Sequence, residues 1–167
     1  MIFITVGTHE QPFNRLLEYI DELKGNGTIA EEVIMQTGFS TYEPKYCKWK
    51  KLFSFAEMNE YVERARIVIT HGGPSSFIMP LQVGKIPIVV PRQKKYNEHV
   101  NDHQIVFCRE VARRQGNIIE VEEMKRLGEV LAQYDSLVAG MDVNRHSNNE
   151  KFCEEFEKLV DRMFHDE

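Results

Sequence analysis

A chain of 167 residues that is 42% hydrophobic and 28% charged has apolar material for one good core and too little for two ordinary domains. Its formal net charge of −5, with no long basic run, argues against a general binder of nucleic acid. No apolar run approaches the roughly 20 residues of a bilayer-spanning helix, so any membrane association is expected to be peripheral or borrowed. Cys47, Cys108 and Cys153 are too far apart for metal-ligand spacing and odd in number, and read as reduced thiols of a cytoplasmic protein.

In chain order, Ile2 to Val6 is a compact β-rich run, too short for a signal peptide, that passes at once into Gly7-Thr8-His9-Glu10. Phe13, Leu16, Leu17 and Ile20 then recur on one helical face, and Gly25-Asn26-Gly27 ends that helix. Glu32 to Gln36 supplies a second strand, and a polar, aromatic loop follows from Phe39 to Tyr46. Lys45 to Lys51 (KYCKWKK) is a basic and aromatic cluster. It reads either as the solvated lead-in to a strand or as contact with an anionic membrane surface or an acidic partner. Leu52 to Phe55 is expected as a third strand, and Ala56 to Arg66 as a helix with Met58, Tyr61, Val62 and Ala65 inward.

The strand Ile67 to Ile69, the helix Ser75 to Val83 with Gly84 as its cap, and the strand Pro87 to Val90 form a βαβ unit. A helix within Asn101 to Gln115, a last strand at Ile118 to Val121 and a helix from Val121 to Tyr134 complete the pattern. Repeated βα units with about six strands predict the α/β class: a doubly wound parallel sheet, Rossmann-like, with helices on both faces. The expected organisation is this domain over 1–134, a linker or mobile loop over 135–149, and a C-terminal amphipathic helix over 150–167. That helix would place Phe152, Phe156, Leu159, Val160, Met163 and Phe164 on one stripe, packing on the domain, on a partner or on a second copy.

Two polar loops flank the central helix. In His71-Gly72-Gly73-Pro74-Ser75-Ser76 the glycines admit close backbone approach, and the helix amino terminus favours an anion; the alternative is a plain tight turn. Arg92, Glu98, Asn101, Asp102, His103 and Gln104 crowd into the loop after the next strand, on the same sheet edge. Metal is not expected: His99 and His103 have a helical i, i+4 spacing but no clear third ligand. No G-x-S-x-G elbow surrounds Ser75 or Ser76, and GTHEQP lacks the dinucleotide fingerprint.

Val6-Gly7-Thr8, Thr70-His71-Gly72-Gly73, the segment from Gly84 to Arg92 and the segment from Glu98 to Gln104 form an ordered set. On these residues the chain resembles the carboxy-terminal half of the family 28 glycosyltransferases, the group that includes MurG. It resembles most closely the PssE-like split subunits of capsule and exopolysaccharide glycosyltransferases. The resemblance implies a single half of the two-domain GT-B fold that binds a UDP-sugar, needs no cofactor or metal, and inverts at the anomeric carbon. It implies a membrane-anchored partner subunit supplying the half that holds a lipid-linked saccharide acceptor, and recruitment of this chain to the inner face of the cell membrane through that partner. The implied donor site comprises Gly7, Thr8, His71, Gly72, Gly73, Pro74, Ser75, Ser76, Arg92, Glu98, Asn101, Asp102, His103 and Gln104. Arg92 would offset diphosphate charge, and His9, on the first loop, would be either the catalytic base or a residue that orders its turn. Many relatives carry a ribose-binding glutamate where this chain has Met79, which leaves Glu98 and Gln104 as the nearest substitutes and a catalytically silent binding subunit as the alternative reading.

Overall fold

The computed structural model describes residues 1–141. The linker beyond Met141, the helix expected over 150–167 and Cys153 lie outside the described residues.

Six strands form one parallel sheet: β1 (Ile2–Thr5), β2 (Val33–Gln36), β3 (Lys48–Lys50), β4 (Ile67–His71), β5 (Ile88–Val90) and β6 (Ile119–Glu120), in the order β3-β2-β1-β4-β5-β6. The helices are α1 (Asn14–Gly25), α2 (Phe55–Arg64), α3 (Pro74–Gln82), α4 (His103–Gln115) and α5 (Met124–Ala139). Alternation along the strands divides the core. Ile2, Ile4, Ile67 and Ile69 pack against Leu16, Leu17 and Ile20 of α1 and Leu127 and Val130 of α5. Phe3 and Val68 face Val62 of α2 on the other side, where Val89 meets Phe77 of α3 and Cys108 of α4. Burial on both faces explains why the central strands read as continuous apolar runs.

The doubly wound, Rossmann-like sheet is therefore the one expected, with two local differences. The third strand falls in the basic cluster, pairing Lys48, Trp49 and Lys50 with Ile34, Met35 and Gln36, and not at Leu52 to Phe55. As a short, exposed edge strand it carries no apolar signal. Ser54 instead opens α2 with a capping box, its hydroxyl accepting from the Glu57 N–H while the Glu57 carboxylate accepts from the Ser54 N–H. Helix α5 continues five residues past Tyr134, so 135–139 are helical and not linker.

The strand order reverses between β1 and β4, whose following chains leave to opposite faces of the sheet. A crevice therefore opens at their carboxyl ends, where open α/β sheets bind ligands.

Candidate functional site

His71, the last residue of β4, organises the crevice. Its Nδ1 accepts from the Gly73 N–H at 3.0 Å, so the neutral ring carries its proton on Nε2, which meets Ser76 Oγ at 2.9 Å. The ring lies between two glycines. A Cβ on Gly7, which has a φ of +72°, would sit 2.3 Å from His71 Nε2, and one on Gly73 would sit 2.2 Å from its Cε1. Burial, helped by the nearby Arg92 charge, pushes the His71 pKa down to about 4, so the ring is neutral near pH 7. His71 ties the β1 loop to the start of α3 and is not a free hand toward a ligand.

Arg92 is likewise internal. Its guanidinium is 1% exposed and donates to the carbonyls of Gln11 at 2.6 Å, Glu98 at 3.1 Å and Val6 at 2.8 Å, while stacking 5.0 Å over the Phe13 ring. The expected direct contact with a diphosphate is thus corrected to a strut joining the β1 and β5 loops. Desolvation lowers its pKa to about 10, still cationic near neutrality. That charge is felt at the crevice, where it helps to depress both His71 and His9.

Glu98 is also occupied and is not free to hold a ribose, whereas Gln104 is engaged through its Oε1 and keeps its amide group at the pocket. Glu98, 2% exposed, takes a bidentate pair from Arg15 at 2.8 and 3.0 Å and accepts from the Gln93 N–H. Gln104 Oε1 accepts from the N–H groups of Gly72 and Arg92, clamping the β4 loop to the β5 loop. Asn101 Oδ1 accepts from the His103 N–H at the start of α4, and Asp102 Oδ1 from the Lys94 N–H. These two side chains shape the second loop.

Between the two loops lies a pocket of about 240 Å³ lined by Gly72, Gly73, Pro74, His99, His103, Gln104 and Phe107. The first turns of α3 and α4 both border it and present the positive end of each helix; the N–H groups of Gly73, Ser76, His103 and Ile105 already donate to His71 Nδ1, the Gly73 carbonyl, Asn101 Oδ1 and the Asp102 carbonyl, and Pro74 has none, which leaves, among the described residues, those of Ser75 and Gln104. Ser75 is exposed beside it, and Thr8 is exposed on the β1 loop. His9 lies alongside, its ring edge-on to His99 at 4.8 Å between centroids, its Nε2 buried and without a partner. Partial burial, then Arg92 and His99, hold its pKa below the usual value, leaving the neutral form that accepts a proton. A larger groove of about 500 Å³ runs along α1 past Tyr96, but its wall carries the Glu18 and Glu22 carboxylates, a poor seat for an anion.

The family model of the glycosyltransferase family 28 C-terminal domain matches residues 1–163. The chain belongs to that family. Among solved structures, this family 28 domain is similar to a glycotransferase of kitacinnamycin, with a TM-score of 0.57 and 17% identity over 79% of this chain and 34% of that one. It is also similar to the glycosyltransferase SnogD from Streptomyces nogalater, with a TM-score of 0.51 and 16% identity over 84% of this chain and 39% of that one. At these identities the likeness concerns the fold, and the domain spans little more than a third of either protein. No curated protein matches it.

In this family 28 domain Met79, where a ribose-binding glutamate is the expectation, packs against the Phe3, Val62 and Val68 cluster. His99 precedes α4, so it shares no helical face with His103, and the zinc-like spacing has no structural meaning. Arg15 escaped sequence reasoning because its partner lies 83 residues away. Phe107, stacked on His103, joins the pocket from a helix position that nothing in the sequence pattern marks.

Proposed function

We propose that this domain is the donor-binding and catalytic half of a two-component, inverting glycosyltransferase that moves a sugar from a UDP-sugar to a lipid-linked saccharide in capsule or exopolysaccharide assembly. The observation that carries the reading is the pocket where the first turns of α3 and α4 meet, in a domain of this family. The diphosphate is assigned to the mouth between Ser75 at the start of α3 and Gln104 at the start of α4, where two uncommitted backbone N–H groups, the positive helix ends and the buried Arg92 charge stabilise an anion without metal. His9 is assigned as base for the acceptor hydroxyl, beside His99. At about 240 Å³ the pocket is smaller than the roughly 300–1,000 Å³ of complete ligand sites, which supports a cleft closed by a membrane-anchored partner subunit. One observation favours a second reading, a catalytically silent nucleotide-binding subunit: Met79 is packed where a ribose ligand is expected.

The test is calorimetric titration with UDP, ADP and GDP of the wild type and a Ser75→Asp variant. An acidic residue in the first turn suits the helix dipole but repels a diphosphate. UDP is expected to bind selectively and to weaken at least tenfold in a variant of unchanged thermal stability. Equal affinity for all three nucleotides, or UDP binding indifferent to Ser75→Asp, rejects the donor site. Selective binding with no transfer in the presence of partner and acceptor selects the silent reading.

A further inference from the structure

We propose that the β3 edge of the sheet is a docking surface for an anionic lipid bilayer, so that this chain meets the membrane by its own residues, whatever its donor site binds. Phe39, Tyr46, Trp49 and Phe55 are all exposed, Phe55 by 74%, and they fall within a 17-residue stretch together with exposed Leu52. Tyr96 is the other large aromatic side chain exposed to this degree among the described residues. Hydrogen bonds from Thr37 and Gly38 to the carbonyls of Lys50 and Lys51 hold the Phe39 turn beside the chain that leads to Leu52.

Charge selects the occupant. Lys45, Lys48, Lys50 and Lys51 interleave with these side chains, and no acid lies between Pro44 and Phe55. Taking this +4 from the net charge of −5 leaves −9 on the other residues; two of those carboxylates, Glu32 and Glu57, reach this edge, so Lys45 and Lys51 are its unpaired cations among the described residues. Lys48 pairs with Glu32 and Lys50 with Glu57, whereas Lys45 and Lys51 have no carboxylate at pairing distance among the described residues. Glu43, exposed at the head of the segment, and Asp21, buried under the Lys45 to Cys47 backbone, are the acids that oppose them. Lysines on an edge strand also deter pairing with other sheets, but exposed Trp49, Phe55 and Leu52 would work against that purpose. Aromatic rings that sit at the headgroup level, flanked by lysines that attract anionic lipid, account for both. Acids elsewhere on the chain are screened beyond a Debye length of about 8 Å at physiological ionic strength.

Trp49 is the protein's one tryptophan and serves as the reporter. The full chain is mixed with vesicles of phosphatidylcholine alone or with added phosphatidylglycerol, and binding is read by sedimentation and by Trp49 emission. The anionic vesicles are expected to bind the chain, shift the emission to the blue and, with brominated acyl chains, quench it; neutral vesicles should do none of these. At about fivefold per lysine, Lys45→Gln/Lys51→Gln should weaken binding about 25-fold with an unchanged circular dichroism spectrum. Failure of the wild type to bind anionic vesicles at low salt overturns the proposal, as does equal binding by the double variant or sedimentation without a change in Trp49 emission. A Trp49 response to an acidic polypeptide but not to vesicles overturns it in favour of a protein partner.

Discussion

Replacing Arg92 by methionine separates a buried strut from a ligand-binding cation. The change strands the carbonyls of Val6, Gln11 and Glu98, each costing about 1–3 kcal/mol when buried without a donor, so roughly 6 kcal/mol together. Loss of the Phe13 contact adds about 1 kcal/mol. Against this, methionine relieves the desolvation that lowers the arginine pKa from 12.5 to about 10, worth about 3 kcal/mol at 1.36 kcal/mol per unit. The net loss is about 3–4 kcal/mol, a large share of the roughly 5–15 kcal/mol typical of a domain. With a urea slope of about 2 kcal/mol/M, the unfolding midpoint should fall by about 1.5–2 M, followed by far-UV circular dichroism. A variant that unfolds at the wild-type midpoint yet loses UDP affinity would refute the strut and restore Arg92 as a direct diphosphate ligand.

Three other consequences follow from polar groups whose partners are backbone atoms. The folded His71 ring takes a proton near pH 4 and the unfolded ring near 6.5, so between these values the unfolded state binds more protons and stability falls as pH falls. From pH 6.5 to 5 the His71 contribution is about 2 kcal/mol, and urea midpoints across this range should slope less in His71→Gln; equal slopes would contradict the assignment. Asp21 is fully buried and accepts from the Tyr42 hydroxyl and the N–H groups of Lys45, Tyr46 and Cys47. Asp21→Asn should cost about 2–4 kcal/mol and speed thiol labelling of buried Cys47, whose pKa is now pushed up to about 12, chiefly by burial. Lys85 Nζ donates to the carbonyls of Val62, Glu63 and Ala65 at the end of α2, so Lys85→Met should lower stability by about 1–3 kcal/mol in the same urea assay.

Local chemistry made most of the fold and the position of the site legible. Ile2 to Val6, Val33 to Met35 and Ile67 to Ile69 are buried on both faces, and continuous apolar runs separated by helical spacing declare that without a structure. The glycines at 7 and 73 likewise mark where the backbone must approach something closely, although that something proved to be the His71 ring. The edge strand at Lys48–Lys50 was hidden, because a strand paired on one side and exposed has no burial pattern to betray it. Roles within the site were decided by tertiary structure alone. Arg92, Glu98 and Gln104 look like ligand contacts in a polar loop. Their partners arrive from Val6, Gln11, Arg15 and Gly72, up to 86 residues away; they engage the Arg92 guanidinium and the Glu98 carboxylate and leave Gln104 only its amide group for a ligand. Sequence order determines which polar groups gather at a sheet edge; only packing determines which have partners already and which still face the crevice.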